Sequence, residues 1–172
     1  MTQSGRLINP LDPTIQAIDI EDIAHALSQI CRANGHTQSF YSVAQHCINC
    51  AMEAKARGLS KTEQLAALLH DASEAYMADL TRPVKQQLPD YSRYEDQLLA
   101  IIFKKYGLDP QLPSCIKAID DAMLYAEFKA LVGAELIEYK AELKSVPNFN
   151  EQLCSKSKQD YLHLFDELVK KS

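Results

Sequence analysis

Residues 65–85 combine an apolar helical pattern with closely spaced ionisable side chains, and this segment constrains the fold more than any other. Its first third is apolar almost all the way round a helix, which is typical of a central buried helix. His70 and Asp71 interrupt the pattern, and Glu74 and Asp79 follow. His70 and Glu74 are four residues apart, so a continuous helix would place them on one face. Buried imidazoles and carboxylates need a charge, a hydrogen bond or a metal ion as partner. The segment therefore predicts either a metal site with acid–base groups, or solvent-facing acids around a satisfied core histidine.

The composition favours an all-α protein that forms a single domain. The chain has 172 residues, 47% of them hydrophobic, and only five glycines. Residues that favour helices dominate, so we expect a single-domain helical bundle with about six to seven helices. An irregular lead-in is expected at residues 1–18, a core at 19–136 and a C-terminal helix at about 149–170.

Charge and hydropathy limit the classes of partner. The net charge is −5 and no basic run is present, so nucleic-acid binding is not expected. No apolar stretch has the length of a membrane span, and no signal segment opens the chain. These features predict a cytoplasmic protein that does not bind membranes.

Helix periodicity and capping signals set the expected elements. Helices are predicted over residues 19–33 and 39–57, then from Ser60, which forms a capping box with Glu63. A short turn is expected at 84–87, further helices from Asp90 and Ser114, a possible kink at Gly133, and a terminal amphipathic helix.

The five cysteines are an odd number with irregular spacing. In a reducing compartment they are expected to be buried thiols rather than disulfides. Cys47 and Cys50 form a C-x-x-C pair within a helical pattern, and no second pair completes a zinc site. Packing is therefore the favoured interpretation of this pair.

Helices that face residues 65–85 offer further polar side chains. His46 lies beside the apolar stripe of the second helix, where it is either a core histidine or a partner that reaches across. Asp120 shares the apolar face of a later helix, whereas Asp121 lies about 100° round that helix. Asp120 is therefore the expected ligand, and Asp121 is expected to face solvent.

Taken together, His46, the His70-Asp71 pair and Asp120 resemble the H…HD…D signature of the HD-domain metal-dependent phosphohydrolases. The sequences FYSVAQH and ALLHDASE are similar to the two histidine motifs of that family. DLTRPVK at residues 79–85 resembles the D-L-P-T-P-V-K segment of the bacterial 5′-deoxynucleotidases. The resemblance implies a helical bundle with one divalent metal, and these four residues are the implied ligands. Mixed nitrogen and oxygen ligands suit Mn²⁺, Co²⁺, Zn²⁺ or Fe²⁺ better than Ca²⁺, and Mg²⁺ is a further candidate.

The same resemblance implies roles for two acids and an arginine. Glu74 would orient or deprotonate the attacking water, and Asp79 would protonate the leaving oxygen or hold the sugar hydroxyl. Arg32 lies near the place of the family's phosphate-binding arginine, one residue out of register. Ala33 follows it where the nucleotidases have an aromatic residue for the base.

Other charged residues are candidates for contact with a substrate. Arg82 and Lys85 could bind phosphate, or each could be a solvated surface charge. His36 precedes the second helix and could line the mouth of the pocket. His25 and His163 are expected to be ordinary helix residues.

The expected function is release of phosphate from nucleoside 5′-monophosphates, with deoxyribonucleotides favoured by the resemblance. One alternative is hydrolysis of another phosphorylated nucleotide, either a polyphosphate or a cyclic dinucleotide, on the same scaffold. A second alternative is a non-catalytic nucleotide-binding bundle. The expected partner is a small phosphorylated molecule, and a homodimer is possible.

Overall fold

The structure is a computed structural model that describes residues 1–111, 113–133 and 142–170. Seven α-helices make up most of the described residues. They are α1 (Ile20–Gln29), α2 (Val43–Ala56), α3 (Lys61–Leu69), α4 (Arg82–Lys85), α5 (Pro89–Lys105), α6 (Ser114–Glu127) and α7 (Cys154–Val169). The described residues contain no strand beyond one isolated bridge. The prediction of an all-α bundle in a single domain is thus confirmed. Residues 134–136 of the expected core lie outside the described part, and α7 begins later than the expected 149.

Helix α3 is the centre of the bundle and packs between α2, α6 and α7. Ser60 and Glu63 form the predicted capping box, which satisfies backbone N–H groups at the helix start. Leu68 and Leu69 are fully buried, and each such side chain contributes about 1.5–3 kcal/mol relative to an exposed one. The hydroxyl of Tyr161 on α7 donates to the Leu68 carbonyl at 2.9 Å. The expected central buried helix is therefore present.

Helix α3 ends sooner than its apolar pattern suggests. His70 still has helical dihedral angles, but Asp71 has φ −104° and ψ 15°, and a 3₁₀ turn follows at Ala72–Ala75. His70 and Glu74 consequently do not share the face of one α-helix, and that expectation was wrong. The tighter turn allows Asp71 and Glu74 both to line one cavity.

Residues 30–32 and 41–43, which were expected to be helical, form a short antiparallel contact. The bridge joins Cys31 to Ser42, the Arg32 N–H donates to the Tyr41 carbonyl at 2.8 Å, and the Val43 N–H donates to the Ile30 carbonyl at 3.0 Å. These bonds compete with helical hydrogen bonds at both ends of the segment. As a result, α1 stops at Gln29 and α2 starts at Val43, inside the predicted limits of 19–33 and 39–57.

Helix α6 continues into one π-helical turn, Phe128–Val132, and Gly133 ends it with a left-handed φ of 76°. The expected kink at Gly133 is therefore a helix end. π-helical turns concentrate at functional sites because they redirect side chains. Among the described residues, no helix has both the length and the apolar character needed to cross a membrane.

A buried carboxylate joins α2 to the segment that precedes α7. Glu53 is fully buried and accepts hydrogen bonds from Arg57 Nε at 2.7 Å, from the Lys144 N–H at 3.0 Å, and from the N–H and hydroxyl of Ser145 at 2.8 and 2.6 Å. Burial raises the pKa of Glu53, but the donors from Ser145, Lys144 and Arg57 outweigh it, so the net pKa is below its usual value. Glu53 is thus ionised and anchors residues 144–145.

We expect Glu53→Gln to reduce the free energy of unfolding by about 1–3 kcal/mol, because the amide leaves some of these donors unsatisfied. The lowered pKa means that the carboxylate stabilises the fold above its unfolded pKa of about 4.3. The difference between the two proteins should therefore shrink as the pH falls below that value. Urea unfolding at several pH values measures it, with Glu151→Gln, an exposed position, as the control. Equal stability of all three proteins at pH 7 would contradict this role.

Candidate metal centre

Four donor atoms from three helices converge beneath a cavity. His46 comes from α2, His70 and Asp71 from the end of α3, and Asp120 from α6. The two histidine Nε2 atoms are 3.2 Å apart. Asp71 Oδ2 lies 3.5 and 3.3 Å from them, and Asp120 Oδ1 lies 3.2 and 3.8 Å from them. Ligands bound at about 2.0–2.2 Å to one ion are separated by roughly 3.0–3.6 Å, so every spacing except that of 3.8 Å between Asp120 and His70 fits a shared divalent metal.

Hydrogen bonds fix the orientation of both imidazoles. His46 Nδ1 is 2.6 Å from Glu127 Oε1, and His70 Nδ1 is 2.7 Å from the Ala67 carbonyl. Both oxygens are acceptors, so each Nδ1 carries a hydrogen, and each imidazole in its neutral form presents a lone pair at Nε2. Two lone pairs that face each other at 3.2 Å repel unless a proton or another cation lies beside them. Arg32 Nη2 lies 3.2 Å from His46 Nε2 and supplies some of this positive charge.

Carboxyl groups outnumber the fixed positive charges at the cavity floor. Five carboxylates surround Arg32 and the cavity floor: Asp71, Glu74, Asp79, Asp120 and Glu127. The Arg32 guanidinium lies 3.6 Å from Asp71, 3.7 Å from Asp79, 3.8 Å from Asp120 and 3.6 Å from Glu127. Burial lowers the pKa of His46 and His70, yet the neighbouring acids raise both above the usual value. The donor set of two nitrogens and two carboxylates fits a divalent ion.

Glu74 lies on the cavity floor and is nearly fully buried. Within the described part of the chain its Oε2 has no hydrogen-bond partner, and its Oε1 is 3.9 Å from Lys85 Nζ. Burial, together with the charges of Asp71 and Asp79, raises the pKa of Glu74 well above its usual value. Burial also raises the pKa of Asp79, despite Arg32 at 3.7 Å. Both acids therefore have the shifted pKa values and the access to a cavity that proton transfer requires.

The rim of the cavity carries two further cations, each in a close ion pair. Lys85 Nζ is 2.8 Å from Glu95 Oε1, and Arg82 Nη2 is 2.6 Å from Asp121 Oδ1. Asp121 was expected to face solvent, but it is partly buried because of this pair. Its neighbour Asp120 is the acid that faces the histidines, as the helical phase predicted.

His36 does not line the cavity, contrary to the sequence-based expectation. The backbone at Ala33 and Asn34 is left-handed, with φ of 51° at both residues, and it turns the loop outward. His36 is consequently exposed, and Thr37 contributes to the cavity wall in its place.

The cavity has a volume of about 490 Å³ and two contrasting surfaces. The charged cluster forms its floor. Apolar side chains from the region of α4 and from α6 with its π turn form the walls: Leu80, Pro83, Leu124, Phe128, Leu131 and Val132. The cavity therefore suits a ligand with an anionic end and an apolar or aromatic body.

Two site residues were not identified from the sequence. Glu127 follows Asp120 by seven residues, which is two helical turns, so the spacing places both on one face. That spacing was the available signal. Glu95 orders Lys85 across the turn between α4 and α5, and no sequence spacing identifies such a contact in advance.

Both thiols of the C-x-x-C pair lie against the histidines. Cys47 and Cys50 are fully buried, and burial raises the pKa of Cys47 to about 11. The donor atoms of His46, Cys50 and His70 all lie within 4.8 Å of one another, as do those of Cys47, His70 and Asp71. A buried His/Cys/Asp group that could hold a metal ion is thus present. Packing alone is therefore an incomplete account of the pair.

We expect Glu127→Gln to weaken metal binding by about 10- to 100-fold, because a neutral amide is a weaker acceptor for the His46 Nδ1–H. Asp121→Asn on the same helix is the matched control, since its side chain pairs with Arg82. Calorimetric titration of both variants with Mn²⁺ measures the difference. An equal loss of affinity in both variants would show that general charge, and not imidazole orientation, sets the affinity.

Comparison with known proteins places the chain among bacterial relatives. No protein-family model matches it. It is 44% identical over 114 residues to the uncharacterized protein YfdR of Escherichia coli strain K12, a match that covers 66% of this chain and 61% of YfdR. It is 36% identical over 154 residues to the uncharacterized protein RCAP_rcc00048 of Rhodobacter capsulatus, which covers 86% of this chain and 72% of that protein. The chain therefore belongs to the same family as the Rhodobacter capsulatus protein.

Proposed function

We propose that this protein is a metal-dependent phosphohydrolase that releases phosphate from nucleoside 5′-monophosphates. The observation that carries the proposal is the pair of Nε2 atoms 3.2 Å apart, beneath a cavity that also contains the unpartnered carboxylate oxygen of Glu74. The resemblance to the HD-domain phosphohydrolases in the H…HD…D residues supports the same chemistry.

His46, His70, Asp71 and Asp120 would hold the metal ion. When bound, a divalent ion polarises a phosphoryl oxygen and makes a coordinated water more acidic. The protein's own part is to fix the ligand directions. Glu127 and the Ala67 carbonyl do so for the two imidazoles.

Arg32 is the best-placed group to bind the phosphate. It lines the cavity, and its side chain is 13% exposed. Its contacts with the carboxylates of the described residues are all 3.6 Å or longer, so it forms no short ion pair with those acids. A phosphate that accepts two hydrogen bonds from the guanidinium would gain a shorter and stronger contact than these acids provide.

Glu74 and Asp79 would carry the protons. Water attacks phosphorus and gives a proton to the Glu74 carboxylate, which lies on the cavity floor. The phosphorus–oxygen ester bond breaks, and the leaving 5′ oxygen takes a proton from Asp79. The two acids thus begin the reaction in opposite protonation states.

Charge matching and cavity shape support the substrate class. Three cations line the cavity in the described part of the chain, but Arg82 and Lys85 are held by acids at 2.6 and 2.8 Å. A triphosphate needs more cationic groups than Arg32 alone provides. The apolar walls and the volume of about 490 Å³ suit a nucleoside body. The deoxyribose preference rests on the DLTRPVK resemblance.

The two alternatives differ from this proposal in testable ways. Hydrolysis of a nucleotide polyphosphate or a cyclic dinucleotide would use the same centre with a different substrate. A non-catalytic nucleotide-binding bundle would have no use for a buried carboxylate oxygen that lacks a partner, since such a group destabilises the fold. Glu74 therefore favours catalysis over the binding role.

We expect Glu74→Gln to lower the turnover number by about 10² to 10⁴, which is the usual contribution of a general base. Metal affinity should change little, and stability should be equal or higher because the raised pKa of Glu74 means that its ionised form is unfavourable in the fold. Steady-state phosphate release, metal titration and urea unfolding measure the three quantities, with Glu151→Gln as the control. Turnover at the native rate would remove Glu74 from the mechanism.

The substrate class is tested by phosphate release from the mono-, di- and triphosphate of one deoxynucleoside, at saturating Mn²⁺. We expect the monophosphate to have the highest kcat/KM and inorganic phosphate to be its product. A preference for the triphosphate, with release of pyrophosphate or tripolyphosphate, would instead support the polyphosphate alternative. Tight nucleotide binding with no turnover on any substrate would support the non-catalytic bundle.

A further inference from the structure

Cys50 lies beside the histidine pair, on the same helix as one of its members. It is four residues after His46 on α2, so both side chains project from one face of that helix. The thiol is fully buried, and its Sγ is 3.6 Å from His46 Nε2. The sulfur and the nitrogens of His46 and His70 all lie within 4.8 Å of one another.

These spacings fit a metal bound by sulfur and nitrogen together. Zinc–sulfur bonds are about 2.3 Å and zinc–nitrogen bonds about 2.0–2.1 Å, which separates tetrahedral S and N ligands by roughly 3.5–3.6 Å. The observed separation between Cys50 Sγ and His46 Nε2 is 3.6 Å. Because His70 Nδ1 is bonded to the Ala67 carbonyl, His70 also presents Nε2 as its donor.

We propose that Cys50 is a ligand for thiophilic metals such as Zn²⁺, Co²⁺ and Cd²⁺ at the histidine pair. The centre then has two overlapping donor sets. Hard ions such as Mn²⁺ and Mg²⁺ use the histidines with Asp71 and Asp120, whereas thiophilic ions use the histidines with the Cys50 sulfur. When a thiophilic ion binds, the S–H bond breaks, a sulfur–metal bond forms and the proton passes to solvent.

The choice of ligand set changes both the affinity for the metal and the number of coordination positions left for substrate. Three protein ligands around a four-coordinate Zn²⁺ leave one position open, whereas four protein ligands around a six-coordinate Mn²⁺ leave two, and Zn²⁺ binds a thiolate more strongly than Mn²⁺ does. The Zn²⁺ form would thus bind the metal more tightly and leave fewer positions for water and phosphate. The proposal rests on the metal centre of the proposed function, but not on hydrolysis of nucleotides.

Cys47 is the natural comparison for Cys50. It is also fully buried on α2, but its sulfur groups with His70 and Asp71, and not with both histidines. Cys154 lies at the start of α7 and is partly exposed, so its substitution controls for non-specific binding of metal to thiols.

The test is titration of the metal-free protein with Co²⁺ and with Cd²⁺, followed by ultraviolet absorption. A thiolate ligand produces a sulfur-to-metal charge-transfer band that nitrogen and oxygen ligands do not produce. We expect the band in the native protein, in Cys47→Ala and in Cys154→Ala, and its loss in Cys50→Ala. Competition experiments should also show that Cys50→Ala loses preference for Zn²⁺ over Mn²⁺.

Absence of the band in the native protein, or its full retention in Cys50→Ala, would overturn the proposal. If Cys50→Ala does not fold, X-ray absorption of the native protein with one equivalent of Zn²⁺ decides: one sulfur neighbour supports the proposal and none overturns it. Phosphate release with Mn²⁺ is measured separately. A band without phosphate release would reject only the proposed function, and phosphate release without a band would reject only the Cys50 ligand.

Discussion

The candidate site depends on two hydrogen bonds that lie outside the donor cluster itself. Glu127 and the Ala67 carbonyl each accept a hydrogen bond from an imidazole N–H, and together they orient the two Nε2 atoms toward each other at 3.2 Å. One of these acceptors belongs to the backbone of α3 and the other to a side chain of α6. The packing of three helices therefore places the two Nε2 atoms where a nearby positive charge stabilises them. Arg32 supplies part of this positive charge, and a divalent ion would supply the rest.

The backbone is strained in the two connecting segments that contain Arg32 and Asp79. Ala33 and Asn34, directly after Arg32, both have φ of 51°, and Ala78, directly before Asp79, has φ of 150°. Positive φ costs a residue with a Cβ of the order of 1–3 kcal/mol, so the surrounding fold must overcome it. The fully buried residues of α2 and α3 provide the rigid background for this. Backbone strain on both sides of one cavity is typical of a site built for binding or chemistry rather than for stability.

Local sequence signals identified the elements but not how they end. The capping box at Ser60 and the apolar run after it predicted α3, and helical phase separated Asp120 from Asp121. The early end of α1 escaped prediction, because backbone bonds between residues 30–32 and 41–43 replace helical bonds there. Such contacts are between segments distant in sequence, so no local propensity encodes them. The position of Cys50 escaped for a related reason: helical spacing shows that it shares a face with His46, but not that His70 approaches the same face.

The facing Nε2 atoms of His46 and His70 are the proposed nitrogen ligands of one divalent metal ion. A crystal structure of the protein grown with Mn²⁺, with anomalous scattering recorded to locate the ion, tests this claim most directly. The account predicts one Mn²⁺ at about 2.0–2.2 Å from both Nε2 atoms, with Asp71 and Asp120 as its carboxylate ligands. An ion bound elsewhere, or an Nε2 pair with no ion between the two rings at saturating Mn²⁺, would contradict it.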